Sequence, residues 1–574
     1  MSDAVARPVT ERRRREFWLA FGAIAIVLAA GLGLRDPWPA DEPRFALIAR
    51  TMVETGNWLF PQRGIELYAE KPPLFMWLQA LSFLVVRAWR VAFLLPSLAA
   101  ALGTLALVYD LVRRLSTRRA ATYAMLMLGS TILFAFQARA AQIDASVTFL
   151  VTLSMYGLLR HLLLGPDWRW YALGFAAAGA GVAMKGVGFL SLLVLLPYAW
   201  ARLYRWRHIT RVRWRDWRWA LGPVMFVLPL LLWLVPMLFA VKLAGDPAYD
   251  AYARELLVRQ TAQRYAASWH HAQPFWYFVP VIALMWIPAS LALPWAIGAW
   301  RRRLSQRHDA RVLLPLAWAA LVVVFFSLTP GKREVYILPA LPMFVVALAP
   351  LLPGLVRVRG FRLLLWGTAA AISAALVGLS LYALFAANEF AEKILAERGI
   401  APWWLTLAIG VAGLAAAIAA RPRRAHFAWL GFTAALWLLY GLWGYPMLDA
   451  ARSGRAVMVR AGEIIGPDAE LGLVAWKEQN LLHAGRAVTD FGFTQPPERQ
   501  REAALRWLAE APAQRWLFIQ DDAFGRCIDR TRAQVVGVSN RRAWFLVRHD
   551  AVVPRCADGA SKPPGDEAQA VAPT

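Results

Sequence analysis

The sequence is poor in charge, and most of the charge that it has is positive. Charged residues make up 17% of the 574 residues and hydrophobic residues 59%, with a mean hydropathy of +0.43. A soluble protein of this length would carry more charge and fewer long apolar runs, so the composition predicts a polytopic α-helical membrane protein. The 63 Lys and Arg outnumber the 37 Asp and Glu, but the arginines fall in short clusters between apolar segments. That pattern is typical of cytoplasmic loops and argues against nucleic acid as a partner.

Other features are absent or scarce. The sequence contains no internal repeat and no glycine-rich loop of the kind that cradles nucleotide phosphates. For an enzyme whose site lies outside the cytoplasm, an activated donor would therefore have to come from the membrane. Cysteine occurs only twice, at Cys527 and Cys556. A disulfide between them and two free buried thiols are both compatible with the sequence.

Most of the sequence consists of apolar segments separated by arginine clusters. Arg12 to Arg15 precede the first apolar run, which predicts a cytoplasmic N-terminus (residues 1–16) and a retained span at 17–34. The apolar segment Leu74–Val86 is shorter than the roughly 20 residues of a spanning helix, so it is predicted to lie in the interface. Counting it as a span would turn most arginine clusters outward, against the positive-inside rule.

With that helix kept out of the membrane core, the sequence predicts about 13 spans. They are at 17–34, 91–112, 120–137, 145–160, 170–186, 187–204, 219–241, 274–300, 312–328, 337–355, 363–386, 403–420 and 426–447. Every dense arginine cluster then lies inside. The deep positions of the spans hold almost no charge, which argues against a lipid-linked sugar flippase or transporter, where ionisable groups are expected near the midplane.

Polar residues of several loops and helix ends gather on the opposite, outer face. Charge at a membrane face is costly and predicts a functional site. The residues are Asp41, Glu42, Arg44, Tyr68, Glu70, Lys71, Asp144, Lys185, Arg264, His270, His271, Lys332, Arg333, Glu334 and Tyr336. Acids, bases and a tyrosine that converge on one face indicate chemistry at the outer interface.

Some of these residues have simpler interpretations. Lys185, at a helix end, would equally well extend to lipid head groups, and Arg333 and Glu334 fit a solvated turn. The pair His270 and His271, with Glu70, could bind a divalent metal, but an interfacial pair without that function is the simpler interpretation. No cofactor is required by the sequence, and the metal stays unknown.

The tail is different from the rest of the chain. From about 451 the long apolar runs stop, and short apolar segments such as Leu471–Trp476 and Ala543–Val547 alternate with helical stretches such as Arg499–Glu510. This pattern predicts a small α/β domain at 451–556, followed by a disordered tail at 557–574. With about 13 spans the domain is extracytoplasmic. The membrane domain covers 17–450 and its first outer loop, 35–90, carries interfacial helices.

Five motifs, in order and on one predicted face, resemble a known family. They are Asp41-Glu42-x-Arg44, Glu70-Lys71-Pro72-Pro73, Ile143-Asp144, Met184-Lys185-Gly186, and Gly331-Lys332 followed by Tyr336-Ile337-Leu338-Pro339. Together, over residues 15–450, they look like the polyprenyl-phosphate-sugar glycosyltransferases of the GT-C fold. Within that family the chain is most similar to the bacterial lipid A aminoarabinose transferases, which are related to the protein O-mannosyltransferases.

The resemblance implies a role for each matching residue. Sugar would move from undecaprenyl phosphate to an acceptor on the periplasmic face of the inner membrane. Lys71, Arg264 and Tyr336, supported by Arg44 and Lys332, would stabilise the charge that develops on the leaving phosphate. Asp41 would act as general base or orient the acceptor, with Asp144 as a second carboxylate. Glu42, Glu70, Tyr68 and Lys185 would support the site.

The acceptor is left open by the residues. The resemblance implies 4-amino-4-deoxy-L-arabinose as the sugar and lipid A or another envelope glycolipid as acceptor. Transfer to exported proteins, as in the O-mannosyltransferases, is the alternative within the same chemistry. If the acceptor is a phosphate it is already nucleophilic, and Asp41 would then position it rather than deprotonate it.

Overall fold

The chain divides into a large helical unit and a small unit with a sheet. The computed structural model describes residues 3–213, 215–257, 273–386 and 389–553. The first unit comprises Met1–Pro61 and Leu67–Leu448, and the second combines Gln62–Glu66 with the chain from Asp449 onward. Five residues of the loop predicted at 35–90 therefore group with the carboxyl-terminal part of the chain.

The first unit is built from helices, because long apolar runs can satisfy their backbone hydrogen bonds in lipid only in this way. Its α-helices are Asp3–Ala29, Glu42–Thr55, Leu74–Val86, Trp89–Ala92, Leu95–Leu115, Arg118–Gly129, Ile132–Ala138, Ile143–Leu164, Trp168–Lys185, Leu195–Leu203, Leu221–Ala244, Pro247–Arg254, Phe278–Met285, Leu293–Ser305, Ala310–Leu328, Ala340–Leu348, Leu352–Leu355, Arg359–Phe385, Glu389–Arg398, Trp403–Ala420, Ala425–Leu439 and Tyr445–Arg452. Short 3-10 helices, including Gly188–Val194, Phe275–Tyr277, Ser290–Ala292 and Glu334–Ile337, and the π-helix Tyr440–Gly444 connect several of them.

Among the described residues, seven helices are long and apolar enough to cross a membrane, or up to nine if each sharply bent pair forms one span. The predicted spans 120–137 and 274–300 are such pairs, bent by 69° and 94°. The second bend contains Pro288, which lacks the N–H that a continuous helix needs. The number of 13 spans stays a prediction, and the helix Leu74–Val86 has the bounds expected from the sequence.

The second unit is built around a five-stranded mixed sheet. Its strand order is Val488–Asp490, Glu470–Val474, Arg515–Gln520, Arg542–Val547, Gln534–Ser539. The first three strands run parallel to one another. The fourth strand, Arg542–Val547, runs antiparallel to both of its neighbours. The helices Arg455–Ile465, Glu478–Leu482 and Pro497–Glu510 complete it. The expected small α/β domain is confirmed, whereas the strand Val488–Asp490 was not foreseen because three residues carry no periodic signal.

A short segment of the loop predicted at 35–90, Gln62–Glu66, belongs to this unit. The strands Gln62–Arg63 and Glu66–Leu67 form a hairpin. The Glu66 carboxylate accepts hydrogen bonds from the backbone N and the Oγ1 of Thr494, at 3.0 and 2.9 Å. The Arg63 guanidinium lies 3.6 Å from a Glu478 carboxylate oxygen. Cys556 and the predicted tail at 557–574 lie outside the described residues, so the disulfide stays a prediction.

Candidate functional site

A cavity of about 370 Å³ in the first unit is polar on one part of its lining and apolar on the rest. The polar lining residues are Glu70, Lys71, Asp144, Lys185, Thr329 and Tyr336. The apolar side chains include Val147, Val182, Val187, Leu230, Trp233, Leu234, Leu256, Leu257, Phe326, Val335 and Pro339. We call this the amphiphilic cavity, because it could hold a charged head group and part of an apolar chain together.

Helix ends place the charged residues of the amphiphilic cavity. Asp144 lies in the first turn of the helix Ile143–Leu164, and Lys185 in the last turn of the helix Trp168–Lys185. Each charge opposes the partial charge of its helix end and is stabilised there. The Lys185 Nζ lies 2.5 Å from the Asp144 Oδ1 and 5.2 Å from the ring centroid of Tyr336. Lys185 therefore points into the site and contacts its carboxylate and its aromatic ring, beyond the lipid contact that its position allows.

A second group of charges continues from the amphiphilic cavity. The Arg44 guanidinium lies 3.5 Å from the Glu70 carboxylate and 4.0 Å from the Asp41 carboxylate. On its other side, Asp41 Oδ2 lies 3.4 Å from Nη1 of Arg333. We call Asp41, Arg44, Glu70 and Arg333 the polar cluster. Because Glu70 also lines the amphiphilic cavity, the two groups are continuous.

Arg333, which the sequence places in a solvated turn, contacts Asp41. Its side chain is 37% exposed and donates a hydrogen bond to Asp41. Burial would lower the pKa of Arg333, but the negative charges of Asp41, Asp144 and Glu334 raise it above the usual value. The guanidinium thus lies within electrostatic reach of both candidate carboxylates. The sequence offered no signal for this contact, since Arg333 is 292 residues away from Asp41 in the chain.

Glu42 lies in a different environment from its neighbour Asp41. Its carboxylate is buried and accepts hydrogen bonds from the Arg35 guanidinium and from the backbone N of Trp38 and Ala141. Arg35 also donates to the carbonyl of Arg139, at 3.1 Å. We call Arg35, Glu42 and Arg139 the buried network. Its bonds tie the start of the helix Glu42–Thr55 to the segment before Asp144, so Glu42 supports the site from behind.

Two other predicted residues are buried away from the lining. Lys332 is 4% exposed, and its Nζ donates to the backbone carbonyl of Gln273 at 2.7 Å; burial lowers its pKa. Tyr68 is buried in the apolar core. Neither belongs to the described lining of the amphiphilic cavity.

Arg264, His270 and His271 lie outside the described residues. Within the described part of the chain, no group of three or more His, Cys, Asp or Glu side chains could hold a metal ion. The structure also adds residues that the sequence analysis missed. Thr329 and the apolar wall from the helix Leu221–Ala244 have no signal beyond that of ordinary spans.

Comparison with known proteins relates this site to characterised chains. A family model described as dolichyl-phosphate-mannose-protein mannosyltransferase matches residues 70–233, which include Lys71, Asp144 and Lys185. The chain is 30% identical over 544 residues to the undecaprenyl phosphate-alpha-4-amino-4-deoxy-L-arabinose arabinosyl transferase of Pseudomonas aeruginosa (strain UCBPP-PA14), covering 88% of this chain and 91% of the relative. It is 28% identical over 410 residues to the protein of that name from Edwardsiella ictaluri, covering 68% and 70%.

Solved structures share the fold. The crystal structure of ArnT from Cupriavidus metallidurans bound to undecaprenyl phosphate superposes with a TM-score of 0.71 at 21% identity, over 92% of this chain and 98% of that one. The apo state of the same protein gives 0.70, over 94% and 99%. The expected fold is confirmed: a multi-pass helical membrane protein of the GT-C type with a small carboxyl-terminal sheet unit.

Proposed function

We propose, since this chain belongs to the family of undecaprenyl phosphate-aminoarabinose arabinosyl transferases, that it moves a sugar from undecaprenyl phosphate to lipid A. The sugar in the relatives' names is 4-amino-4-deoxy-L-arabinose. The chain is accordingly a glycosyltransferase, and its predicted partners are a polyprenyl-phosphate-sugar donor, an envelope acceptor and the surrounding membrane lipids.

The amphiphilic cavity is the observation that carries the proposal. Its apolar wall suits the first isoprene units of a lipid, and Lys71 and Lys185 lie at its polar part. When the bond between the anomeric carbon and the phosphate oxygen breaks, negative charge grows on the leaving phosphate. Cations placed beforehand in a site shielded from water stabilise that charge more in the transition state than in the ground state. Lys71, which lines the cavity together with Tyr336, is the residue that we assign to this step.

The acceptor side is assigned to the polar cluster. The acceptor oxygen attacks the anomeric carbon, and undecaprenyl phosphate leaves. If the acceptor is a hydroxyl, its proton passes to a carboxylate, for which Asp41 is our candidate. If the acceptor is a phosphate, no proton is transferred. Asp41 then positions the acceptor through Arg44 and Arg333, both of which contact Asp41. Asp144, paired with Lys185, orients the donor side.

The site is proposed to face the periplasm. This assignment follows from the arginine clusters, which place the N-terminus and the basic loops in the cytoplasm. It puts the second unit in the periplasm and the transferase in the inner membrane. No nucleotide is needed on that face, because the donor already carries its leaving group in the lipid.

A protein acceptor is the second candidate. The family model that covers Lys71, Asp144 and Lys185 is one of protein mannosyltransferases, so those residues fit donor chemistry shared by both classes. The two candidates share a polyprenyl-phosphate-sugar donor and differ in the acceptor.

An assay with two acceptors tests the proposal. Purified full-length protein is incubated with undecaprenyl-phosphate-aminoarabinose and either lipid A or a mixture of exported proteins, and the products are analysed by mass spectrometry. We expect the sugar on lipid A and stoichiometric release of undecaprenyl phosphate. Sugar found only on protein would establish the second candidate. A donor that stays intact with both acceptors, although lipid A is modified by a Pseudomonas relative under the same conditions, would contradict the proposed reaction.

A further inference from the structure

A second cavity lies at the carboxyl-terminal end of one of the apolar helices. It has a volume of about 860 Å³ and lies where the helix Leu95–Leu115 turns into the helix Arg118–Gly129. Its lining is dominated by Arg113, Arg114, Arg118, Arg119, Tyr109 and Tyr123. We call it the arginine cavity. Among the described residues it shares no lining residue with the amphiphilic cavity, so it is separate from the site of sugar transfer.

Positive charge exceeds negative charge in the arginine cavity. Among the described residues, its lining holds four guanidinium groups and a single carboxylate, that of Glu16. Behind the lining, Asp110 pairs with both Arg113 and Arg114. One carboxylate therefore serves two guanidinium groups, and Arg114 remains partly exposed, at 38%. Such a surplus of donors suits an anion with several oxygen atoms.

The second helix adds to the positive potential. Arg118 and Arg119 occupy its first turn, which contains no acidic residue. The free N–H groups of a helix start are themselves positive, so two arginines at this position are unfavourable unless an anion is near. Arg119 also lies 3.3 Å from the hydroxyl of Tyr123, which adds a further donor beside the guanidinium.

A neighbouring group of arginines is arranged around one buried carboxylate. A smaller cavity of about 210 Å³ is lined by Arg303, Asp309 and Arg311. Asp309 is buried, accepts hydrogen bonds from Arg311 at 3.0 and 3.1 Å, and lies 3.7 Å from Arg303. Burial would raise the pKa of Asp309, but the bonds from Arg311 lower it below the usual value. There one carboxylate faces two arginines, whereas the four arginines of the arginine cavity have Glu16 in the described lining and Asp110 next to it. An excess of two positive charges remains among these described groups.

We propose that the arginine cavity binds the phosphate groups of an anionic phospholipid. The cavity lies at the end of the apolar span Trp89–Leu115, and the end of a span is where lipid head groups meet the protein. Tyr109 packs against Phe17, with ring centroids 4.3 Å apart, so a bound lipid would contact a region where two helices meet. This binding does not depend on the sugar-transfer reaction.

Native mass spectrometry of the purified full-length protein tests the proposal with cardiolipin, which carries two phosphates, and with phosphatidylcholine. The double variant Arg118→Gln, Arg119→Gln should bind cardiolipin roughly 10- to 30-fold more weakly, since each arginine near a lipid surface contributes about 1 kcal/mol. Arg118→Lys, Arg119→Lys keeps the charge and loses the planar fork, so a smaller loss of about threefold is expected. The matched control Arg423→Gln, Arg424→Gln removes the same charge from the turn Pro422–Arg424 and should change the affinity less than about twofold.

Three results would overturn the proposal. The first is an equal loss in the test and control variants, which would mean that only net charge matters. The second is binding of phosphatidylcholine as tight as that of cardiolipin. The third is binding of pyrophosphate, in a separate titration, as tight as that of cardiolipin, which would make a free phosphate compound the ligand.

Discussion

Asp41 and Glu42 are neighbours with the same charge, yet they lie in two different regions of the first unit. In the polar cluster, Asp41 is 23% exposed, and its ion pairs with Arg333 and Arg44 are long, at 3.4 and 4.0 Å. In the buried network, the Glu42 side chain is 8% exposed and both of its oxygens accept hydrogen bonds. Long, partly solvated pairs can open for a substrate, whereas a fully bonded buried carboxylate cannot leave its partners without a large cost. Adjacent acids in a motif therefore need not share a function.

Replacing Asp41 is the most direct test of this difference between the two acids. Replacing Asp41 by Asn keeps the shape of the side chain and removes its charge, so sugar transfer should fall by about 10²–10⁴-fold while the protein stays folded. The measurement is the initial rate of donor consumption, with the thermal midpoint in detergent as the test of folding. Asp246→Asn is the matched control, since Asp246 also precedes a helix but is exposed and lies outside the amphiphilic cavity. Wild-type activity in Asp41→Asn would remove that carboxylate from the mechanism.

Replacing Glu42 should lower the stability of the protein and leave the activity of each folded molecule unchanged. Glu42→Ala leaves the buried Arg35 guanidinium without its carboxylate, and breaking a buried pair costs about 3–5 kcal/mol. We expect a lower yield of folded protein and a lower thermal midpoint, with activity lost in proportion to folded protein. Glu54→Ala, which removes an exposed carboxylate paired with Arg50, should cost less than about 1 kcal/mol. A stable Glu42→Ala protein without activity would instead place Glu42 in the catalytic step.

Lys71 extends the comparison to the amphiphilic cavity. Without the Lys71 ammonium, the charge on the leaving phosphate loses one of its stabilising cations, so Lys71→Ala should lower kcat by about 10²–10³-fold. A smaller effect on KM is expected, because the charge that Lys71 stabilises grows mainly in the transition state. Lys242→Ala, at an exposed helix end, provides the control. Unchanged turnover in Lys71→Ala would exclude the assigned role on the leaving group.

Replacing Arg333 should lower the activity less than replacing Asp41 or Lys71. Arg333→Gln removes one of the two cations that contact Asp41 and leaves Arg44 in place, so we expect a loss of activity of about tenfold. Arg333→Lys should restore part of the rate if charge is what matters, and none of it if the planar guanidinium geometry is needed. Equal activity of all three proteins would mean that the contact with Asp41 is not used in transfer.

The sequence was sufficient where local pattern decides the structure. The helix Leu74–Val86 follows Pro72 and Pro73 and was predicted with its observed bounds. Four of the five strands of the second unit follow from short apolar runs. The charges of Lys71, Asp144 and Lys185 were placed on one face by topology alone, and they line one cavity.

Contacts between distant parts of the chain were what the sequence could not supply. The burial of Glu42 depends on Arg35 and on the backbone of Ala141, 99 residues away. The bond between Arg333 and Asp41 spans 292 residues, and the hairpin at Gln62–Arg63 carries no hydrophobic period that would assign it to the second unit. Neither the pattern of charge nor that of hydropathy encodes such pairs, because both are read along the chain and these contacts form only when the helices pack.

The polar cluster can take part in transfer to an envelope acceptor only if it faces the outside. A cysteine-labelling experiment tests this orientation, and its cysteine substitutions are not expected to change the activity. In a background in which Cys527 and Cys556 are replaced by Ala, Ser116→Cys places a thiol between the helices Leu95–Leu115 and Arg118–Gly129. This thiol should not react with an impermeant maleimide added to intact cells, because the arginines around it orient that turn toward the cytoplasm. Ala248→Cys, at an exposed position of the helix Pro247–Arg254, should react from outside. Labelling at position 116 together with protection at 248 would mean that the topology is reversed. Asp41 and Lys71 would then face the cytoplasm, where a lipid-linked donor offers no advantage over a nucleotide sugar.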